Sequence, residues 1–392
     1  MIYFDNSATS RFKPKKVIET VTKEIVNSSN SGRGAHNDAI RSGLAIFQTR
    51  QKILEYFNAS DHNVIFTKNC SEALNLAIQG ASKIGGHIIT TCYEHNSVLR
   101  TLNALEKSKN IGYDVLFPKN HLEKAKALRE KNIPFINEEM TITADQIEKH
   151  IRPNTYMVIV NHISNVTGTE QNIKEIAYLC KKYSLLLLID GAQSVGHKLY
   201  DMDKYGIGML ATSGHKGISG VQGTGFLIVD KAIRLNHILY GGTGTNSASL
   251  VQPADSPEGF EVGTLNTPGI LGLSEAIDFN KENFERINMK ISHLTKELLN
   301  GLMSNKKIII YSPIDTTNGI VTFNVRDVPS DFVAKKLNDD YDIAVRAGLH
   351  CAPLAHKCID TFSTGACRAS IGFNNNIDDV EDFINAINEI SK

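Results

Sequence analysis

The six cysteines of the 392-residue chain, at positions 70, 92, 180, 351, 358 and 367, include no CxxC pair. A disulfide framework or a thiolate metal site is therefore not expected, no metal is assigned, and a reduced, cytoplasmic setting fits best. There is no excess of either charge, because Lys+Arg and Asp+Glu both number 42. Neither a nucleic acid nor an anionic membrane surface is the expected partner. No run approaches the roughly 20 apolar residues of a membrane span. The opening MIYFDNSATS carries an early acid and no basic stretch leading into an apolar one, so it does not read as a signal peptide. Repeats and low-complexity tracts are also missing. So is a GxGxxG opening a helix after an early strand, which makes a dinucleotide-binding dehydrogenase a poor fit.

The hydrophobic fraction is 41%, enough for a sizeable core, and the length suits two domains. From Lys16 to Ile270, strand-like runs (Val64–Thr67, His87–Thr91, Met157–Asn161, Leu185–Asp190, Gly225–Val229) alternate with helix-like stretches (Val17–Val26, Ala39–Phe57, Ser71–Gly80, Asn96–Lys107, Ile173–Tyr183). This alternation predicts the α/β class, with a mainly parallel sheet covered by helices. After Leu271 the pattern changes to a long helix over about Ser274–Met303, strands near Ile308–Tyr311, Gly319–Val325 and Cys367–Gly372, and a closing helix from Ile377 to about Ile390. The expected organisation is a large domain over 16–275 and a smaller α+β domain over 276–392, with segment 1–15 packing on the latter. Lys119–Glu139, charged and helical in pattern, reads as a surface insertion.

Chemistry is concentrated at strand ends. The apolar run from Leu185 stops at Asp190, and MLATSGHK (209–216) ends in a lysine. In an open α/β sheet, ligands sit beyond the carboxyl ends of the strands. A lysine and an aspartate placed there suit pyridoxal phosphate (PLP): the amine forms a Schiff base with the aldehyde, and the acid keeps the pyridine nitrogen protonated. Asp190 could instead cap a following helix, but a charge placed after four leucines and an isoleucine needs a partner. Thr67–Ala73 follows a strand and opens a helix, where free N–H groups and Ser71 could hold a phosphate, or Ser71 could simply cap its helix. His95, just past a strand, could stack on a flat ring or be a surface or N-cap-region histidine. Asn165, in the polar loop NHISNVTGTE (161–170), could bind a cofactor oxygen or a carboxylate, or only shape a turn.

Among the thiols, Cys351 is the best nucleophile candidate. It sits in RAGLHCAPLAH (346–356), where Arg346, His350 and His356 could favour the thiolate. Cys70, Cys92 and Cys180 read as packing residues. Cys367 competes, but strand alternation turns it away from any site that Arg368 faces.

Taken in order, DNSATS, SNVTGTE, DGAQ, SGHKG, FEVGTLNTPG (260–269), RAGLHCA and CRAS resemble the class V, fold type I PLP enzymes of the cysteine desulfurase and selenocysteine lyase group. The chain is closer to the members with a short RxGxHCA loop, and the likeness covers nearly its whole length. It implies a seven-stranded large domain and Lys216 as the Schiff-base lysine. Asp190 would pair with the pyridinium, His95 would stack on the ring, and Gln193 would contact the phenolic oxygen. Ser71, Ser213 and His215 would hold the phosphate beside Cys70, with Thr264 reaching in from a second subunit. Arg368 and Asn165, with Arg346 nearby, would bind the substrate carboxylate. Cys351 would take the sulfur as a persulfide, leaving alanine.

The substrate would be L-cysteine or L-selenocysteine, the partners a second copy of the chain and a sulfur-acceptor protein. Another class V aminotransferase, or an inactive sulfur-relay scaffold, are the alternatives. Three departures stand out: Asn69-Cys70 replaces a Gly-Thr pair and so removes one hydroxyl, Leu349 removes a histidine near the thiol, and the segment 119–139 is extra.

Overall fold

The computed structural model describes residues 1–31, 34–245 and 247–392. Seven strands form the central sheet, in the spatial order His62–Thr67, Gly225–Asp230, Met209–Ser213, Leu186–Asp190, Thr155–Asn161, His87–Thr91 and Gly112–Leu116. Gly225–Asp230 runs against its two neighbours, and the other pairings are parallel. The sheet is thus α/β and mainly parallel, as expected. Its strands read as unbroken Val/Ile/Leu runs because helices cover both faces. The period of two is plain in the core: Val158, Val160, Leu187 and Ile189 join one apolar cluster, while Met157, Ile159 and Leu188 join the other.

The C-terminal part holds a four-stranded antiparallel sheet, ordered Arg346–Gly348, Ala366–Ser370, Ile320–Val325 and Ile308–Ile310. Helices Ser330–Tyr341 and Ile377–Ile390 pack over it around Phe323, Leu337 and Phe383. The N-terminal residues reach this sheet: Ile2–Tyr3 pairs in parallel with Ile343–Ala344, and Phe4 is fully buried in the same cluster. One helix serves both parts. It runs over Thr267–Met303, starting before the expected Ser274 because Asn266 caps it by accepting the Gly269 N–H and Pro268 suits its first turn. Ile270, Leu273 and Ile277 enter the large core, whereas Ile291, Leu294 and Leu298 enter the small one.

The charged segment is not a detached surface insertion. It forms helices His121–Lys131 and Asn137–Met140, and Leu128, Phe135 and Met140 are buried in the large core. The buried Tyr93 hydroxyl donates to the Met140 carbonyl at 2.6 Å, the Ile314 N–H donates to the Phe135 carbonyl at 2.9 Å, and Arg129 pairs with Asp360. Its apolar residues are too sparse for a periodic signal, so burial was not legible. Among the described residues, no helix is long and apolar enough to cross a membrane.

Candidate active site

The carboxyl ends of the central strands bring the candidate residues together. Asp190 and Asn161 are register partners on adjacent strands, Ser213 ends the next, and all three are buried. Asp190 caps no helix, since turns follow it; its Oδ1 accepts the Ala192 N–H at 2.9 Å and the Cys70 thiol at 3.5 Å. The residue that removes a hydroxyl from the phosphate loop therefore turns its sulfur to the acid instead. A small cavity is lined by Cys70, Ser71, His95, Asn161, Asn165, Asp190, Gln193 and Lys216.

Helix Cys70–Gly80 is capped by Asn69, whose side chain accepts the Glu72 N–H, so the cap is not Ser71. Ser71 is left to bond Ser97 Oγ at 2.6 Å, and Ser97 Oγ lies 2.8 Å from His95 Nδ1. His95 is both things at once: it caps helix Asn96–Lys109 by accepting the Ser97 N–H on Nδ1, and it lines the cavity. With Nδ1 accepting, the ring proton belongs on Nε2. Burial holds the His95 pKa below its ordinary value, against the pull of Asp190. Ser97 was missed from the sequence, since a serine in the first turn of a helix carries no pattern of its own.

Lys216 is half-buried, in a loop whose small residues are required by contact. A Cβ on Gly217 would stand 2.3 Å from the Val195 carbonyl. Burial lowers the Lys216 pKa, Cys70 and Asp190 raise it, and Arg368 and Arg346 lower it further. A less basic amine is the better nucleophile near neutral pH. The carbonyl of His215 is clamped by Ser10, whose N–H and hydroxyl both donate at 3.0 Å, and by Lys13 Nζ at 3.3 Å. His215 Nδ1 is 3.0 Å from Thr9 Oγ1, and burial brings its pKa down to about 4. Gln193 Nε2 donates to the Ser7 carbonyl at 3.0 Å. Ser213 and His215 flank the lysine without lining the cavity. Thr264 is not brought to it: it is exposed, beside Arg50 and Glu261 in a separate cleft.

Cys351 is exposed, with Arg346 Nη2 at 4.0 Å from its sulfur. His350 and Cys351 have φ of 49° and 58°, a left-handed pair of non-glycine residues that the surroundings must hold. Asn165 Nδ2 donates to the His350 carbonyl at 2.7 Å, and the Asn96 N–H donates to the Cys351 carbonyl at 2.7 Å. The two histidines do not supply positive charge to the thiol, which corrects the expectation. Thr361 Oγ1, His356 Nδ1, His356 Nε2, His350 Nδ1, His350 Nε2 and the Arg346 carbonyl form one chain, with steps of 2.7, 3.1 and 3.3 Å. A carbonyl must accept, so each imidazole carries a single proton. Burial holds His350 down at about 2 and His356 at about 4. Arg346 alone of the three brings charge to the sulfur. Cys367 does face away from Arg368: it is fully buried in the small core and donates to the Ser330 carbonyl at 3.0 Å.

Arg368 is 1% exposed; Nη1 donates to the Asn165 carbonyl at 2.9 Å and Nη2 to Asp5 Oδ1 at 2.8 Å. Asp5 escaped the sequence reading because only folding carries the N-terminal segment to this strand. The implied PLP fits the residues present. An acid and an amine share one cavity, and Asn161 Oδ1, Asn165 Oδ1 and Ser213 Oγ are buried without a hydrogen-bond partner among the described residues.

Fold and site together define a class: the chain belongs to the class-V aminotransferase family, whose model matches residues 2–383. Within it, the chain is 32% identical to a probable cysteine desulfurase of Methanothermobacter thermautotrophicus over 399 residues, covering 100% of this chain and 94% of that one. It is likewise 32% identical to a probable cysteine desulfurase of Pyrococcus abyssi over 403 residues, covering 100% and 94%. The structure of the cysteine desulfurase of Thermococcus onnurineus NA1 superposes with a TM-score of 0.87 at 30% identity, covering 100% of this chain and 94% of that one.

Proposed function

We propose that the protein is a PLP-dependent cysteine desulfurase, which converts L-cysteine to L-alanine and leaves a persulfide on Cys351. The observation that carries this reading is the convergence of Lys216, Asp190 and His95 on one cavity, with Asn165 on its wall bonded both to Arg368 and to the loop of an exposed cysteine. Lys216, Asp190, His95, Gln193, Ser71, Ser213 and His215 would hold PLP, which would supply an electron sink for the substrate α-carbon. Arg368 binds the substrate carboxylate, its guanidinium oriented by the Asn165 carbonyl. Lys216 lines the same cavity and is placed to move the substrate α-proton on Nζ. The Cys351 thiolate, beside the Arg346 guanidinium, attacks the substrate sulfur; the new S–S bond forms as the Cβ–S bond breaks.

In this reading, residues 16–275 hold the coenzyme, while 276–392 with the segment 1–15 carry Cys351 and Arg368. A homodimer is part of the same proposal. Ile40, Leu44 and Phe47, spaced i, i+4 and i+7 on helix Asn37–Tyr56, are each more than half exposed near Thr264. The setting we propose is cytoplasmic, in keeping with six unpaired cysteines. The test is purified protein with PLP and L-cysteine. Alanine and persulfide sulfur should form in equal amounts, and a PLP-loaded protein that yields neither would refute the assignment.

A further inference from the structure

Asp5 lies outside the lining of the coenzyme cavity, yet its backbone is bridged to Ser370, on the strand that carries Arg368. The Ser370 N–H donates to the Phe4 carbonyl at 2.6 Å, and the Ser7 N–H donates to Ser370 Oγ at 2.9 Å, so the register is locked on both sides of Asp5. Its side chain, 22% exposed, accepts from Arg368 Nη2 at 2.8 Å, while Arg368 Nε has no partner among the described residues. Arg346 stands directly opposite Arg368 in the antiparallel register, and like charges so placed repel. Among the described residues Asp5 is the acid paired with Arg368, and Arg346 has none. The guanidinium proposed to receive the substrate carboxylate thus already carries a carboxylate of the chain.

We propose that Asp5 is a specificity-determining residue: an internal carboxylate that shares the Arg368 guanidinium with the substrate and weakens the site's hold on carboxylates. This rests on the reading of Arg368 as the substrate carboxylate site. Two carboxylates on one buried guanidinium repel each other. A ligand offering only a carboxylate is therefore bound poorly, and the true substrate is retained by its amine and thiol as well. Arg368 in turn never stands as an uncompensated buried charge.

The test uses full-length, PLP-loaded protein titrated with propionate, a monocarboxylate without an amine, read by calorimetry and thermal shift. KM and kcat for L-cysteine are measured alongside. Asp5→Asn keeps the acceptor and removes the charge. It should bind propionate at least about tenfold more tightly than wild type (~1.4 kcal/mol) and lower KM while changing kcat much less. Propionate should also raise its melting temperature more than that of wild type. Asp5→Glu, which keeps the charge, should stay within about twofold of wild type in propionate affinity. If Asp5→Asn binds propionate no more tightly than wild type while Arg368→Gln has lost binding, the role of Asp5 is overturned and that of Arg368 stands. If Arg368→Gln binds propionate like wild type, Arg368 is not the carboxylate site and the proposal falls with it. Should Asp5→Asn be insoluble, propionate in the medium should recover folded protein, and failure to recover any counts against the proposal.

Discussion

Glu94 is fully buried one residue before His95, and its carboxyl is neutralised by no cation among the described residues. Oε1 accepts from Thr91 Oγ1 and from the Asn161 N–H, both at 2.8 Å, and Oε2 has no partner among those residues. Burial pushes its pKa up from 4.5 to about 8, the two Oε1 hydrogen bonds offsetting only part of that. Between those values the native protein holds a proton that the unfolded chain has released. Stability from this group is therefore fully present below pH 4.5 and is lost as pH rises through about 8. At ~1.4 kcal/mol per pH unit, the whole interval is worth about 5 kcal/mol.

Glu94→Gln preserves shape and acceptor but cannot ionise, so the variant should lack this slope. The assay is urea unfolding of wild type and variant at pH 5, 6.5 and 8 with PLP held constant. The stability of wild type relative to the variant should fall by several kcal/mol between pH 5 and pH 8. Curves that remain parallel over that range would show that Glu94 is ionised in the native protein and refute the reasoning.

Cys351→Ala should abolish sulfur release from L-cysteine while the PLP absorbance persists, whereas Cys367→Ala, removing a core thiol, should act through stability alone. Lys216→Ala should lose the visible band of lysine-bound PLP, read by absorption spectroscopy before and after added L-cysteine. Tyr93→Phe leaves the Met140 carbonyl without its buried donor and should destabilise by about 1–3 kcal/mol in urea unfolding. His350 and His356 are held neutral by burial and would bind protons in the unfolded chain below pH 6.5. Acid should therefore loosen the Cys351 loop, measured as faster iodoacetamide labelling of Cys351 per thiolate at pH 5.5 than at pH 7.5.

Strand ends were legible in the sequence because burial writes itself as apolar runs. Leu186–Asp190 and His87–Thr91 fall where the pattern places them, and Ile377–Ile390 matches its expected span. Strand Gly112–Leu116 was not legible: it lies at the sheet edge, with four of its five residues only partly buried, so its polar residues blur the run. At the site, chemistry borne by one residue at a strand end, such as Asp190 or Lys216, was readable. Relations between distant segments were not. The pairing of His350 with His356, the turn of the Cys70 sulfur to Asp190 and the reach of Asp5 to Arg368 are tertiary facts with no local trace.

The docking of residues 2–5 against Ile343–Ala344 and Ser370 also shapes how the fold comes together. These partners are remote in sequence, so the entropy of closing the loop between them is lost before the contacts reward it. Until that loop closes, Phe4 has no core to enter and Arg368 lacks the Asp5 carboxylate.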